Sequence, residues 1–286
     1  MEEILVTGCN GQLGSELHEL AKASGKESSF CFVDKETLDI TDREAVCNFI
    51  GKHSFSTVIN CAAFTAVDKA ESETEACNNV NHLAPAFLAE AITAVKGRFI
   101  HISTDYVFDG NSFRPYREDD TPCPQTVYGR TKLAGEKAAL QHCPDTMIIR
   151  TGWLYSSFGS NFVKTMLRLA KERHELGIVA DQTGTPTYAH DLAKAILHIM
   201  EKGIIPGVYH YANEGTASWF DFAHAIHRAA GIKNTQCHLT PLHTEDYPTP
   251  ARRPHYSVLD KTKIKLKYGL EIPWWEDSLK ECMARL

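Results

Sequence analysis

Short apolar runs alternate with longer helical patterns through the first half of the chain. The candidate strands cover residues 4–8, 29–34, 56–63, 98–103 and 146–153, and the helical patterns lie near residues 12–24, 42–52, 71–95 and 126–141. This alternation predicts a parallel sheet whose strands are joined by crossover helices. Because the strands are nearly continuous apolar runs, we expect them to be buried on both faces, as in a doubly wound α/β sheet.

The pattern changes after Trp153. A helical pattern near 161–175 is followed by short strands and turns, by helical patterns near 189–202 and 218–230, and by a stretch at 237–257 rich in Pro, His and Thr. That stretch predicts a long loop, and long loops in compact domains are usually functional or disordered. We therefore expect a main domain at residues 1–150 and a smaller lobe at 151–286, with the helix at 189–202 packing back on the main domain.

Composition excludes several classes of function. The net charge of −6 argues against a sequence-independent grip on nucleic acid, which needs a basic surface. No run approaches the roughly 20 apolar residues that cross a bilayer, and the first residues, MEEILVTG, lack the pattern of a secretory signal. Nine cysteines, never spaced as CxxC, indicate reduced thiols rather than a disulfide framework or a zinc site. The expected location is the cytoplasm.

Three glycines follow the first strand and open the first helix. In TGCNGQLG they are Gly8, Gly11 and Gly14. Glycines at this place let the backbone turn tightly and approach a pyrophosphate, which sits on the amide-rich amino terminus of the helix. The strand, loop and helix together predict a dinucleotide site in a Rossmann-type sheet.

Residues at the end of the second strand bear on the choice of dinucleotide. Asp34 lies 20 residues beyond Gly14, where a carboxylate accepts hydrogen bonds from the adenosine ribose. A helix cap or a strand-end charge is the alternative interpretation. Lys35 is placed to meet a 2′-phosphate, so the choice between NADH and NADPH stays open. Asp39 and Ile40 are expected to line the adenine pocket.

A tyrosine and a lysine four residues apart indicate the reaction type. Tyr128 and Lys132 lie in a helical pattern, so that their side chains emerge on one face. A lysine cation one turn away is expected to lower the pKa of the phenol, whose unperturbed value is about 10. A phenol poised in this way can give a proton to a developing alkoxide. The motif therefore predicts a carbonyl reductase, with Lys132 also holding the nicotinamide ribose.

A hydroxyl residue upstream completes the expected catalytic set. Thr104 lies at the carboxyl end of a predicted strand, the edge at which doubly wound sheets bind ligands. Its hydroxyl is expected to hydrogen-bond the substrate carbonyl oxygen as negative charge develops there. The neighbouring Ser103 faces the opposite side of the strand, so Thr104 is preferred. A threonine that only satisfies backbone groups at the strand end is the structural alternative.

Seven segments together resemble the dTDP-4-dehydrorhamnose reductase family of extended short-chain dehydrogenases/reductases. They are the glycine loop, INCAAFTAVDKAE (59–71), STDYVFDG (103–110), VYGRTKLAGE (127–136), RTGWLY (150–155), NFVKTMLRLA (161–170) and ARRPHYSVLD (251–260). They span almost the entire chain in the expected order. The resemblance implies reduction of dTDP-4-dehydro-β-L-rhamnose at C4 by NADPH or NADH, the last step of dTDP-L-rhamnose synthesis. It also implies that the smaller lobe binds the substrate.

The resemblance assigns further roles residue by residue. Tyr128, Lys132 and Thr104 match the family's catalytic residues. The phosphate loop and the segment that follows the cofactor backbone correspond to Asn10, Gly11, Gln12, Leu13, Ala62, Ala63 and Thr65. The sugar nucleotide is expected to contact Val67, Asp105, Tyr106 and Trp153, although core packing is an alternative for Trp153. Arg252 and Arg253 are candidates for pairing with the substrate diphosphate, since guanidinium donates bidentately to phosphate, or they form a solvated basic pair.

One departure from the family concerns a metal. The resemblance implies that some members dimerise through Mg²⁺ held by acidic residues at the start of the first helix and in a later helix. Here Ser15 and His190 accompany Glu16 and Asp191, so the carboxylate set is incomplete. Mg²⁺ demands oxygen ligands in octahedral geometry. We expect no structural metal and a monomer or a metal-free homodimer.

Two rival functions fit the same fold. A nucleotide-sugar epimerase or 4,6-dehydratase returns the hydride to its sugar, but a dehydratase needs an acid and a base beside the hydroxyl residue. This chain offers a single acid there, Asp105. A regulatory subunit of methionine adenosyltransferase also has this fold without a known need for turnover. The joint presence of Thr104, Tyr128 and Lys132 favours the reductase.

Overall fold

The computed structural model describes residues 3–53 and 55–286. Its strands are β1 (Glu3–Thr7), β2 (Phe30–Val33), β3 (Phe55–Asn60), β4 (Arg98–Thr104), β5 (Thr146–Thr151), β6 (Leu154–Tyr155), β7 (Glu175–Val179), β8 (Thr183–Gly184), β9 (Thr187–Tyr188), β10 (Gly207–His210), β11 (Ala217–Ser218) and β12 (His238–Leu242). Its α-helices are α1 (Gln12–Ala23), α2 (Arg43–Lys52), α3 (Val67–Ala70), α4 (Thr74–Asn78), α5 (Ala84–Ala94), α6 (Val127–His142), α7 (Phe162–Glu172), α8 (Ala189–Lys202), α9 (Trp219–Ala229), α10 (Thr262–Tyr268) and α11 (Trp275–Met283). A π-helical segment, Asn79–Leu83, connects α4 to α5.

Six parallel strands form the central sheet. Their order is β10-β5-β4-β3-β1-β2, so the chain runs outward in one direction from β1 to β2 and in the other from β1 through β3. The strand order therefore reverses beside β1. In such sheets the carboxyl ends of the strands on either side of the reversal open a crevice where ligands bind. The predicted doubly wound parallel sheet is confirmed.

Alternate residues of each strand enter different hydrophobic layers because side chains of a strand point to opposite faces. On β1, Leu5 packs in the layer under α2 and α5, whereas Val6 packs in the layer under α1 and α8. Adjacent β5 residues divide in the same way, with Ile148 in the first layer and Ile149 in the second. Fully burying one such side chain stabilises the fold by roughly 1.5–3 kcal/mol. Helices on both faces explain the continuous apolar strands.

The carboxy-terminal half builds a separate hydrophobic cluster. It is centred on α7, α9 and α11 and includes Val163, Phe222, Ile226 and Leu279, each at most 1% exposed. Beside it, β7 and β12 form a two-stranded parallel sheet. In α9, Ser218 and Asp221 form a capping box that fixes the first turn of the helix. This cluster gives the lobe a core of its own.

Three features were not predicted. Strand β10 adds a sixth strand to the central sheet, although it lies within the range assigned to the smaller lobe. The predicted loop at 237–257 contains β12, which includes Pro241 and pairs only with β7. A proline is tolerated in an edge strand because one side of the strand needs no ladder hydrogen bonds. Helices α10 and α11 were also missed.

Within the described ranges, no helix is both long and apolar enough to cross a membrane.

Candidate active site

A large cleft lies at the carboxyl ends of the central strands. Its volume is about 860 Å³, and its lining includes Thr7 at the end of β1, Thr104 at the end of β4 and Thr151 at the end of β5. The opposite wall comes from the carboxy-terminal half, including Trp153 and Trp219. The cleft therefore occupies the position that the strand order predicts for a ligand site.

The glycine loop forms one end of the cleft. Gly8 has φ +69°, and a Cβ there would lie 2.7 Å from the backbone nitrogen of Ala62. Gly11 is the amino-terminal cap of α1 and donates its backbone N–H to the Gly8 carbonyl oxygen at 3.0 Å. Gly11, Gln12 and Leu13, at the start of α1, line the cleft. These features fit the pyrophosphate of a dinucleotide.

Most residues predicted to bind the dinucleotide line this cleft. They are Gly8, Asn10, Gly11, Gln12, Leu13, Asp34, Lys35, Asp39, Ile40, Ala62, Ala63 and Thr65. Gly14 is the exception, because it is absent from the lining. A Cβ on Gly14 would overlap the carbonyl oxygen of Gly8 and lie 2.6 Å from Cys9 Cα. This glycine lets α1 pack closely behind the loop, and its assignment to the cofactor site stays a prediction.

Asp34 is a partly exposed carboxylate held in place by its neighbours. It accepts hydrogen bonds from the Thr37 backbone N–H at 2.9 Å, from the Thr37 hydroxyl at 2.8 Å and from Asn10 Nδ2 at 3.1 Å. These bonds, chiefly those from Thr37, lower the pKa of Asp34. The residue both stabilises the local turn and presents a negative charge to the cleft. Lys35 beside it is also exposed.

Thr104 and Tyr128 both line the cleft, whereas the hydroxyl of the neighbouring Ser103 is directed into the fold. The Thr104 side chain acts on Tyr128 by lowering the pKa of its phenol. Thr104 also donates to Asp105 Oδ1 at 3.0 Å and accepts from the backbone N–H of Tyr106 at 3.2 Å. Ser103 instead donates to Glu136 Oε1 within the fold. Because side chains alternate along a strand, the Thr104 hydroxyl points to the site and the Ser103 hydroxyl points to the core.

The amino-terminal turn of α6 fixes Tyr128. Thr126 caps the helix by accepting the backbone N–H of Gly129 at 3.0 Å, and the Glu71 carboxylate accepts the backbone N–H of Val127 at 2.8 Å. Tyr128 is half-buried and packs edge-on against Tyr106, with ring centroids 5.6 Å apart. One turn later, Lys132 is 2% exposed and donates from Nζ to the Ile102 carbonyl oxygen at 2.6 Å.

The acid–base properties of this pair differ from the sequence-based expectation. Burial raises the pKa of Tyr128, the Thr104 side chain lowers it only in part, and the nearby Asp105 raises it further. Burial lowers the pKa of Lys132 to about 8. The expectation that Lys132 lowers the pKa of Tyr128 is therefore wrong for this structure. Tyr128 is a phenol at neutral pH, which is the form that donates a proton.

Asp105 is a buried carboxyl group at the floor of the cleft. It is 3% exposed, and its Oδ2 has no hydrogen-bond partner within the described part of the chain. Burial raises the pKa of Asp105 to about 6, although hydrogen bonds from Ser257 and Thr104 oppose the shift. A buried carboxyl oxygen without a partner is unusual in a folded protein and marks Asp105 as an exceptional group in the cleft.

Two stacked tryptophans form the wall from the smaller lobe. The rings of Trp153 and Trp219 are nearly parallel, with centroids 3.6 Å apart. Trp153 has φ +51°, a strained backbone conformation for a residue with a side chain. Its ring packs against Gly184, where a Cβ would lie 2.5 Å from Trp153 Cε2. Trp153 is half-buried and lines the cleft, so core packing does not account for it fully.

The two candidate arginines occupy different positions. Arg253 lines the cleft and is ion-paired with Asp68 at 2.6 Å, while its Nη1 lies 3.5 Å from the Tyr106 hydroxyl. Arg252 is exposed and lies outside the main cleft, in an adjoining hollow shared with Tyr106 and Arg253. Val67, the first residue of α3, lines the main cleft.

The residues considered for a metal are engaged with one another. Glu16 is fully buried and accepts from Ser156 Oγ at 2.6 Å and from Arg285 Nη1 at 2.9 Å, and it lies 2.9 Å from His190 Nδ1. Asp191 accepts from the Asn213 amide and the Ser278 hydroxyl. In the described ranges, no group of three or more His, Cys, Asp or Glu side chains is arranged for a metal ion.

Several cleft residues escaped the sequence analysis. They include Leu38, Thr41, Cys61, Phe64, Val80, Gly152, Leu154, Gly159, Ser160, Asn161 and Trp219. Most carry no chemical signature and reach the cleft only through tertiary packing. Asn161 had a local signal, because it caps α7 by accepting the Lys164 backbone N–H, and its amide also donates to Gln12 Oε1 at 3.0 Å.

Comparison with known proteins places the chain in a family. A family model described as "RmlD substrate binding domain" matches residues 1–286. The dTDP-4-dehydrorhamnose reductase of Aggregatibacter actinomycetemcomitans is 41% identical, with 99% of each chain covered. The crystal structure of a Clostridium acetobutylicum dTDP-4-dehydrorhamnose reductase has 42% identity and a TM-score of 0.94, over 99% of this chain and 98% of that one. The Bacillus anthracis enzyme, solved in complex with NADP, has 37% identity and a TM-score of 0.94 over the full length of both chains. The chain belongs to the dTDP-4-dehydrorhamnose reductase family.

Proposed function

We propose that this protein reduces the C4 keto group of dTDP-4-dehydro-β-L-rhamnose with NADPH or NADH to give dTDP-β-L-rhamnose. The observation that carries the proposal is that Thr104, Tyr128 and Lys132 line the same cleft as the glycine loop. A proton donor next to a dinucleotide site is the arrangement that carbonyl reduction requires. The names of full-length relatives at about 40% identity support the same substrate.

The proton that the reduction requires comes from a side chain of the protein. A reduced nicotinamide bound in the cleft supplies the hydride to C4. Tyr128, a phenol at neutral pH, donates its proton to the C4 oxygen as negative charge develops there. Thr104 donates a second hydrogen bond to that oxygen and so orients the carbonyl. Lys132, one helical turn from Tyr128, stabilises the phenolate that remains and holds the nicotinamide ribose.

The cofactor contacts follow from the lining of the cleft. Asn10, Gly11, Gln12 and Leu13 bind the pyrophosphate at the start of α1, and Asp34 or Lys35 meets the adenosine ribose. The adenine and the cofactor backbone contact Asp39, Ile40, Ala62, Ala63 and Thr65. Because Asp34 and Lys35 both face the cleft, either NADPH or NADH fits this arrangement.

The sugar nucleotide occupies the part of the cleft beyond Tyr128. Asp105, next to Thr104, is placed to accept a hydroxyl of the sugar, and Trp153 provides an apolar face for the sugar ring. Val67 and Tyr106 complete the contact surface. Arg253 is the preferred partner of the diphosphate because it lines the main cleft, whereas Arg252 reaches only the adjoining hollow.

The domain division follows from these roles. We propose that residues 1–150, with α8 against α1, bind the dinucleotide and that residues 151–286 mainly bind the substrate. Strand β10 is an extension of the first unit. The composition favours a cytoplasmic enzyme, and the mutual pairing of Glu16, His190 and Arg285 favours a monomer or a metal-free homodimer.

A coupled assay tests the proposal. The ketosugar is generated in place from dTDP-glucose by a 4,6-dehydratase and a 3,5-epimerase, and oxidation of NADPH or NADH is followed at 340 nm, the usual wavelength for reduced nicotinamides. We expect oxidation only when both upstream enzymes are present, with dTDP-rhamnose as the product. Thr104→Ser should retain most activity, whereas Thr104→Val should lose about 10²-fold or more in kcat. Confirmed ketosugar and bound cofactor without oxidation would contradict the proposal.

A further inference from the structure

A buried histidine lies directly beneath the catalytic lysine. His101 on β4 is fully buried, and its Nε2 lies 3.4 Å from Lys132 Nζ. Its other ring nitrogen, Nδ1, lies 3.1 Å from Asn60 Nδ2 on β3. Burial and the nearby Lys132 hold the pKa of His101 well below its usual value, so the ring is neutral. A neutral imidazole carries one proton, and its position on the ring decides what Lys132 meets.

The surroundings of Asn60 fix its orientation. Asn60 Oδ1 accepts a hydrogen bond from the backbone N–H of Ala62 at 3.2 Å and from the Thr7 hydroxyl at 2.7 Å. A backbone N–H can only donate, so the side-chain oxygen of Asn60 must face Ala62. The amide nitrogen therefore faces His101. An amide N–H₂ group has donors only, which requires Nδ1 of His101 to be the acceptor.

The proton of His101 is consequently on Nε2, pointing at Lys132. A neutral lysine amine has a lone pair that accepts this N–H, and it still donates to the Ile102 carbonyl oxygen at 2.6 Å. A lysine ammonium has only donors, so it cannot accept a hydrogen bond from the His101 N–H, and two donors then face each other. Buried donors without acceptors are costly. The contact thus disfavours the charged form of Lys132.

Other groups around Lys132 oppose this effect. The groups that face it or lie near it are His101 on β4, Tyr128 and Glu136 on α6, Cys61 after β3 and Cys77 on α4. Glu136 raises the pKa of Lys132, but its carboxylate is already bound by both Nε and Nη2 of Arg150. Burial outweighs these influences and lowers the pKa of Lys132 to about 8.

We propose that His101, held in its Nε2–H tautomer by Asn60, is a positioning residue that makes Lys132 release its ammonium proton more readily. The proposed reductase mechanism needs the ammonium to stabilise the Tyr128 phenolate. His101 therefore sets the alkaline limit of the reaction without touching substrate or cofactor. This kinetic consequence rests on the proposed function, whereas the tautomer of His101 does not.

Nitrogen-15 NMR of histidine-labelled protein tests the tautomer independently of activity. We expect the His101 resonances to show a protonated Nε2 and an unprotonated Nδ1 throughout the pH range in which the protein is folded. A His101→Gln sample assigns the signals. An Nδ1–H tautomer overturns the proposal whatever reaction the enzyme catalyses.

The pH profile of kcat/KM tests the consequence, because this ratio reports ionisations of the free enzyme. In His101→Gln the glutamine carbonyl can accept from the lysine ammonium, so the alkaline fall in kcat/KM should move up by about one pH unit or more. His210→Gln is the matched control, since His210 is also fully buried in the central sheet but bonds to the Tyr116 carbonyl oxygen. Its alkaline limb should not move. An unmoved limb in His101→Gln, with dinucleotide binding intact, overturns the proposal.

Discussion

At the residue scale, burial shifts the pKa values of two neighbouring site residues in opposite directions. Burial raises the pKa of Tyr128 and keeps it protonated, whereas it lowers the pKa of Lys132 to about 8. The common cause is desolvation. Burial disfavours the charged form of each group, because a buried phenolate and a buried ammonium are both poorly solvated. The result is a phenol ready to donate and a lysine that titrates close to neutrality.

Replacing Tyr128 tests its role as the acid. Tyr128→Phe keeps the ring that packs on Tyr106 but removes the donated proton. Turnover should fall by about 10²–10⁴-fold, the usual contribution of general acid catalysis. Dinucleotide affinity, measured by titration calorimetry, should stay near wild type. Tyr247→Phe, at an exposed tyrosine, is the control. Equal losses of turnover and dinucleotide binding would instead assign Tyr128 a structural role.

Asp105 should make stability depend on pH. Its pKa is about 6 in the folded protein because of burial and about 3.9 when unfolded. The unfolded state therefore loses its proton first, and stability falls as pH rises from about 4 to about 6. Asp105→Asn should remove this loss and raise the free energy of unfolding at pH 8 by about 3 kcal/mol. Urea unfolding at pH 4.5 should show a much smaller gain, and an equal gain at both pH values would contradict the assignment.

Single residues were predictable where a motif fixes their chemistry. Tyr128, Lys132 and Thr104 were expected in the cleft, and they line it. The direction of the Tyr128 pKa shift could not be predicted, because burial depends on residues from several elements rather than on the spacing to Lys132. For the same reason the contact between His101 and Lys132 could not be predicted from the sequence.

At the element scale, α6 is tied to the sheet by a buried ion pair. Glu136 on α6 accepts from Arg150 on β5 at 2.9 and 2.7 Å, and both side chains are at most 4% exposed. Breaking such a pair leaves an uncompensated buried charge. Glu136 lies one turn beyond Lys132, so the pair also holds the helix that carries Tyr128 and Lys132, the proposed catalytic residues.

Glu136→Gln should destabilise the protein by about 3–5 kcal/mol because Arg150 loses its counter-charge. Urea unfolding at pH 7 measures the change. The matched control is Glu90→Gln, which breaks the ion pair with the exposed Arg43 and should have little effect. Equal small effects for both variants would show that the buried pair does not anchor α6.

The Trp153–Trp219 stack gives the second element-scale prediction. Trp219 is the first residue of α9 and supports Trp153 from the side of the smaller lobe. Trp219→Ala should raise KM for the ketosugar by about 2–10-fold, the equivalent of one aromatic pair, and leave dinucleotide affinity nearly unchanged. Trp274→Ala, at a half-exposed tryptophan outside the cleft lining, is the control. Equal losses for substrate and dinucleotide would contradict a substrate-side role.

Helices and strands were predictable where their sequence pattern is long and regular. Strand β4 and helix α6 lie within a residue or two of the expected ranges, because their patterns are long and apolar or periodic. Strand β12 was missed because its pairing with β7 depends on tertiary packing and its Pro241 resembles a loop residue. The positive φ of Trp153 has no sequence signal, since it reflects the close approach of Gly184.

At the scale of the whole molecule, the reversal of strand order beside β1 brings the dinucleotide loop and the catalytic strand to one edge of the sheet. The smaller lobe then closes the cleft with Trp153 and Trp219. A doubly wound sheet therefore determines where a ligand cleft forms, and we propose that the second half of the chain determines which sugar nucleotide enters it. Reductases and epimerases share this architecture, so the fate of the hydride distinguishes them.

Transfer of deuterium from C4-labelled NADPH to the ketosugar tests the central claim most directly. The purified protein is incubated with the ketosugar and the labelled cofactor, and the product is analysed by NMR and mass spectrometry. Our account predicts one deuterium at C4 of dTDP-rhamnose for each oxidised cofactor formed. Conversion of the sugar without stoichiometric cofactor oxidation, or with no deuterium at C4, would contradict the reductase assignment.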